Sequence, residues 1–306
     1  MSGIKEIKNR IDGVEETQKI TNAMYLIASA KLRRAKEDWD KTEPYFRMIR
    51  GEIKRIFRTV GEIDSPYFYP SPDDHLDTGT YGYLIITADK GMAGAYNHNI
   101  IKQMVQMIND HPDSKLFVVG EYGRHYCKSH NIPIEKSFMY TAQNPTLHRA
   151  REISDSLLTA YNEERLKKIF VVYTDYTHKG EPNVCSTRIL PFHHMQFVTP
   201  TDEKTVDIPF SFEPSVEKIL ENMVSSYVTG FIYSALTDSF CCEQNARMVA
   251  MDSANRNAQK ILEELSVKYH QMRQGEITQE ISEISGGANY HKRIAEKHKK
   301  ETGVNG

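Results

Sequence analysis

Few residues in this chain could do chemistry, and the sharpest candidates lie in ADKGMAGAYN, Ala88–Asn97. The segment follows an apolar run and precedes an amphipathic one. Glycines at a strand-to-helix turn leave backbone N–H groups free, and such a turn can cradle a phosphate. Gly91 and Gly94 do not make G-x-G-x-x-G, and no G-K-[ST] follows. A tight structural turn is the expected use, and nucleotide binding is its rival. His193 and His194 are adjacent and lack a Cys or acidic ligand at metal spacing, so they read as surface loop. Cys127, Cys185, Cys241 and Cys242 form no C-x-x-C and are expected as reduced thiols. Neither G-x-S-x-G nor H-E-x-x-H occurs. No catalytic set, cofactor or metal is expected.

Positioning this turn requires a sheet. YGYLIIT (Tyr81–Thr87), KLFVVG (Lys115–Gly120), IEKSFMY (Ile134–Tyr140) and KKIFVVYTDYT (Lys167–Thr177) read as strands. Between them, Asn99–Asp110, Glu121–His130 and Thr146–Arg165 read as helices. That alternation predicts a mostly parallel, layered α/β sheet. NVCSTRILP (Asn183–Pro191) follows the turn HKGEP and should add an antiparallel edge hairpin. Gly61–Gly79 and Pro191–Ser215 are proline-rich connections.

The sheet sits between two long helical patterns. From Ile4 to Val60, apolar residues recur at alternating three- and four-residue steps, broken only by Gln18, Thr21 and Thr42. Such a repeat predicts a coiled coil, and at about 1.5 Å per residue the helix is roughly 85 Å long. That exceeds the width of a compact domain of this size, so the helix is expected to project. Ser2 is the expected N-cap, and Pro44 should kink or loosen the helix. In the stretch Phe212–Gly287, a second narrow seam runs through Met248, Met251, Ala258, Leu262, Leu265, Tyr269 and Met272, interrupted by Asn255. Its phase breaks at Gly275, and the last turns are expected to stand alone.

The expected fold class is α/β: a long antiparallel two-helix coiled coil from the N- and C-terminal segments, with an inserted Rossmann-like α/β layered domain. The expected division is 1–60 (N-terminal coiled-coil helix), 61–79 (linker), 80–211 (α/β domain), 212–288 (C-terminal coiled-coil helix) and 289–306 (a basic C-terminal extension). The net charge is −2, with 39 Lys and Arg against 41 Asp and Glu, which argues against a nucleic-acid binder. No stretch approaches the roughly 18 apolar residues of a membrane span. MSGIKEIKNR has no apolar signal-peptide core, so secretion is not expected. KLRRAK (Lys31–Lys36) is either a solvated face or a contact for acidic loops.

Three segments carry a family resemblance. ITNAMYLIASAKLRRA (Ile20–Ala35) resembles the N-terminal helix of the gamma subunit of F-type ATP synthases. TADKGMAGAYN (Thr87–Asn97) looks like that family's T-S-D-[RK]-G-L-x-G-x-x-N signature. EQNARMVAMDSANRNA and YHQMRQGEITQEISEI resemble its C-terminal signatures. The resemblance covers about Ile4–Ala288 and is of bacterial type. It implies a non-catalytic central shaft, turning inside three alpha and three beta subunits, with the epsilon subunit and the membrane c-ring as further partners. Proton or sodium flow would drive it, and catalysis would sit on beta. The expected location is the cytoplasmic side of the cell membrane, peripheral and attached through the c-ring. Residue by residue, the family's contacts with beta carry over to Arg247, Arg273, Gln274, Thr278 and Glu280, and its coupling-sensitive position to Met24. The plainer alternative for each is solvation or seam packing.

Asn22 departs from the family's common lysine, and NYHKRIAEKHKKETGVNG continues past the usual end. That extension is expected either to fray or to lengthen the helix as a basic brake on rotation. Two rival readings remain: a nucleotide-binding α/β enzyme with a coiled-coil oligomerisation stalk, and a generic coiled-coil tether.

Overall fold

Strand β1 (Tyr81–Ile86) is buried at every position, because helices cover both faces of the sheet it centres. A computed structural model describes residues 2–60, 65–68, 79–139, 142–176, 183–192, 213 and 215–302. In chain order come α1 (Ser2–Val60), β1, α2 (Tyr96–Asp110), β2 (Lys115–Val119), α3 (Glu121–Ser129), β3 (Lys136–Phe138), α4 (Leu147–Asn162), β4 (Lys168–Asp175), β5 (Asn183–Leu190) and α5 (Val216–Thr302). The sheet order is β3-β2-β1-β4-β5. All pairs are parallel except β4–β5, as the short connection between those strands predicts.

Successive strand residues point to opposite faces, and the core divides accordingly. Leu84, Ile86, Phe117, Val119, Ile169 and Val171 face one layer, formed by α4 and the two long helices. Tyr83, Ile85, Leu116, Val118 and Val172 face the other, formed by α2 and α3. In the first layer α5 presents Leu220, Val224, Val228, Ile232 and Leu236, a four-residue step that keeps one stripe on the sheet. Ile49, Ile53 and Ile56 of α1 join it. Gly230 lets α1 close in, since a Cβ there would lie 2.0 Å from Phe46 Cδ1.

The ends of the helices and the limits of the compact units do not coincide. One unit takes residues 25–250, so it contains the sheet and the segments of α1 and α5 packed on it. The other takes 1–24 with 251–306. In this second unit the helices pair antiparallel: Gly3 faces Met272, Gln18 Nε2 donates to Gln259 Oε1 at 3.3 Å, and the Thr21 hydroxyl donates to Asn255. Residue numbers fall on one helix as they rise on the other.

Several local expectations shift. Ser2 is the first helical residue and not a cap, and α1 continues through Pro44. Helix α5 runs through Gly275, Gly286 and Gly287 to Thr302, so the glycines do not break it. Helix α4 begins at Leu147, with Thr146 as the cap accepting from Arg149 N. His193, His194 and the turn of the β4–β5 hairpin lie outside the described residues.

Gly120, at φ 95°, joins β2 to α3, and a Cβ there would sit 2.2 Å from the Thr87 carbonyl oxygen. Both the backbone conformation and the space demand glycine. Gly120→Ala should therefore destabilise the chain by about 3 kcal/mol, read as a lowered midpoint in thermal or denaturant unfolding.

Candidate functional site

The order of the sheet reverses between β1 and β4, and in open α/β sheets ligands bind beyond the strand ends at such a point. Here the turn after β1 spends its polar groups on its own scaffold. Thr87 Oγ1 donates to the Val119 carbonyl at 2.9 Å and accepts from Gly123 N at 3.0 Å. Asn97 Oδ1 accepts from Ala88 N at 3.0 Å. Asp89 Oδ1 accepts from Glu121 N at 2.9 Å and so caps α3. The signature residues Thr87, Asp89 and Asn97 tie β1, β2, α2 and α3 together.

Helix α5 reaches the same turn from the other side. Arg247 Nη1 donates to Glu243 Oε1 at 2.6 Å, with the two side chains 10% and 8% exposed. Arg247 Nη2 donates to the carbonyl of Gly91 at 3.1 Å, and that of Lys90 lies at 3.4 Å. Gln244 Nε2 donates to Glu243 Oε1 at 3.2 Å. Burial pushes the Glu243 carboxyl up from its ordinary value, and the Arg247 charge opposes that rise. Burial likewise holds the Tyr96 phenol well above its usual range, with Glu243 adding to the effect and hydrogen bonds to Ser239 and Thr174 opposing it.

This geometry holds an ion pair: the turn aims the carbonyl oxygens of Lys90 and Gly91 at a guanidinium that Glu243 pairs. Among the described residues no group of His, Cys, Asp and Glu could hold a metal ion. All four cysteines are free.

The residues expected to meet a partner fall in different settings. Arg247 is turned inward on the clasp just described. Arg273, Gln274, Thr278 and Glu280 are exposed on α5. Thr278 Oγ1 donates back to the Gln274 carbonyl at 2.8 Å, within the helix. Met24 is half-buried on α1. Glu243 was not foreseen. The signal was there as a Glu–Arg pair at i,i+4, but only the fold shows that it is buried. Of the residues read from sequence as breaks in two seams, Thr21 meets Asn255, and Gln18 meets Gln259 one turn further along.

Comparison with known proteins follows the same lines. The profile of a family described as ATP synthase matches residues 3–289. The ATP synthase gamma chain of Acetivibrio thermocellus is 37% identical over 293 residues, covering 94% of this chain and 99% of the relative. A sodium ion specific ATP synthase gamma chain of Acetobacterium woodii is 30% identical, covering 93% and 97%. A chain from the Euglena gracilis mitochondrial ATP synthase (OSCP/F1/c-ring) aligns with TM-score 0.67 at 15% identity, covering 94% of each chain. One from the central stalk and c-ring of the Tetrahymena thermophila mitochondrial enzyme aligns with TM-score 0.55 at 21% identity, covering 77% of this chain and 99% of its own.

Removing the guanidinium would leave Glu243 buried and unpaired. Arg247→Ala should cost about 3–5 kcal/mol in denaturant unfolding of the full-length chain. Arg247→Met combined with Glu243→Gln should cost clearly less, because the charge leaves with its partner.

Proposed function

The chain belongs to the ATP synthase gamma-chain family, and on that premise we propose that it is the central rotor shaft of such an enzyme. The carrying observation is a family match over residues 3–289, the span that holds both long helices and the sheet between them. In this reading the antiparallel helices turn inside a ring of three alpha and three beta subunits. The epsilon subunit and the membrane c-ring hold the sheet-bearing end. Proton or sodium flow drives the turning, and ATP is made or hydrolysed on beta. This chain supplies torque and no catalytic residue. Its attachment to the cytoplasmic face of the membrane is peripheral, through the c-ring. Among the described residues, no helix is long and apolar enough to cross a membrane.

The physics of a shaft supports this assignment. A surface that must slide past its neighbours should carry contacts that break and reform at low cost. Exposed ion pairs contribute little, about 0–1 kcal/mol each. The face of α1 at KLRRAK carries such pairs, Arg33 with Glu37 and Arg34 with Asp38, each at 3.9 Å. On α5, Arg273, Gln274, Thr278 and Glu280 offer exposed polar groups. We assign these four, with Met24, to contact with beta. For Arg247 the proposed role is indirect, through the seating of α5 on the sheet.

The same premise gives the ends of the chain a role. Residues 290–302 lie past the family match but still in helix. We assign them to the tip of the shaft, where the basic surface brakes rotation.

Two measurements on the reassembled enzyme test these assignments. Arg273→Ala with Gln274→Ala should lower ions pumped per ATP hydrolysed at least twofold in vesicles; unchanged coupling would remove these residues from the contact. Truncation after Ala288 should raise the ATPase rate, and a rate equal to the parent's would end the braking idea. The rotor assignment itself rests on stoichiometry: one copy beside three alpha and three beta subunits is expected in the purified complex.

A further inference from the structure

A cavity of about 540 Å³ opens in the unit of residues 25–250, between α1 and α5 beside the end of β4. Its walls include the rings of Trp39 and Tyr176, the buried Cys241 and Thr237, and the carboxylates of Asp40 and Asp238. That volume falls within the roughly 300–1,000 Å³ of small-ligand sites. The mixture of aromatic wall and carboxylate is one that suits an organic cation, because a ring face and a carboxylate both attract positive charge.

The basic groups at the rim are already engaged. Arg47 is held by Glu43, Nε donating to Oε1 at 2.8 Å and Nη2 to Oε2. Lys36 Nζ donates to the Tyr176 hydroxyl at 3.0 Å. Among the described residues, no ion pair forms on Asp40 or Asp238. The Asp238 carboxylate receives one long hydrogen bond, from Ser234 Oγ at 3.4 Å. It also faces Asp175 at the end of β4, a like charge. The cavity is thus lined by two carboxylates without an ion pair among the described residues, Asp238 half-buried and Asp40 exposed at the rim.

We propose that this cavity binds an aliphatic polyamine, with ammonium groups on Asp238 and Asp40 and the methylene chain between Trp39 and Tyr176. The methylenes cover the apolar wall while the charges sit at its ends, which neither an inorganic cation nor an apolar ligand can do.

Binding is coupled to a proton. Burial, and then Asp175, push Asp238 up to about 7 from 3.8. The other charged or titratable groups around it are Lys36, Glu43 and Arg47 of α1, Tyr173 of β4, and Cys241 and Cys242 on its own helix. Because the folded-state value is raised, the stability Asp238 contributes is fully present below pH about 4 and is lost as pH rises through about 7. An ammonium ligand binds the ionised form. Its affinity is therefore highest above pH 7 and falls up to tenfold for each unit below it.

Trp39 is the only tryptophan of the chain, so it reports on its own cavity. Putrescine and spermidine should be titrated against the full-length chain at pH 8 while tryptophan emission is followed. A saturable change is expected, with the apparent Kd weakened at least fivefold at pH 6. Sodium chloride at equal ionic strength should give no saturable change. Asp238→Asn replaces a half-buried carboxylate by a neutral amide, so it should fold and melt at or above the parent at pH 8, and it should bind at least tenfold more weakly. No saturable response of the parent at pH 8, an equal response to sodium, or an unchanged Kd in Asp238→Asn would each overturn the proposal.

Discussion

A buried guanidinium must find acceptors for its donors, and the arrangement of the sheet-bearing unit follows from where Arg247 finds them. Desolvating a charge costs several kcal/mol, and a buried pair recovers that only with good geometry and further hydrogen bonds. Glu243 supplies the charge, and the carbonyls of Lys90 and Gly91 supply the acceptors. Those carbonyls are available only because the turn after β1 is held by Thr87, Asp89 and Asn97. One residue of slippage along α5 would rotate Arg247 by about 100° and leave the charge without partners. The clasp therefore fixes the register of α5 on the sheet more sharply than its apolar contacts can. An apolar stripe is non-directional and tolerates small rotations; a buried ion pair does not.

The width of the apolar face of α5 changes along its length, and the change follows what covers it. Over Leu220–Leu236 the helix is buried against a sheet and carries a broad face. At Met251, Ala258 and Leu265 the buried residues narrow to a seam against a single helix. Beyond Met272 the described residues are almost all exposed, including Ile281 and Ile284, the latter 73% exposed. The first of these packings holds a register, and the second lets two helices run together. The third leaves side chains for whatever surrounds the helix in the assembled enzyme. A helix of this length without tertiary cover depends on intrinsic propensity and i,i+4 pairs, and Gln279 with Glu283 is one such pair.

What could be read from the sequence depended on the range of the interaction. The strands β1, β2 and β4 were legible because continuous apolar runs bounded by turns have few other uses. The seventeen-position repeat of α1 was legible because a 3.5-residue period persists nowhere else in a soluble chain. Short β3 was weak, since three residues carry little pattern. Three features needed the third dimension. Gln18, Thr21 and Asn255 look like defects until the antiparallel register pairs Thr21 with Asn255 and Gln18 with Gln259. Glu243 looks like a surface acid until the sheet covers it. Gly275 reads as a break in the seam's phase, yet the cost of Gly275, Gly286 and Gly287, roughly 1 kcal/mol each, is small beside the cooperativity of an uninterrupted helix. The family resemblance suggested partner contacts by position alone, and it could not distinguish Arg247, turned inward, from Arg273, exposed on α5.

That distinction bears on how a shaft of this kind transmits torque. A twist applied to the sheet must enter α5 where the two are joined, and it must leave through side chains that face outward. Arg247 lies at the joint with the sheet, and Arg273, which we assign to the outward contact, is exposed further along the same continuous helix. Seven turns of hydrogen-bonded backbone resist winding far better than a row of side-chain contacts would. Two arginines with the same charge thus serve opposite demands. The inner one needs permanent, fully satisfied partners, and burial gives it those. The outer one, in the contact role proposed for it, needs partners that change as the shaft turns, and its exposure keeps such a contact weak enough to break.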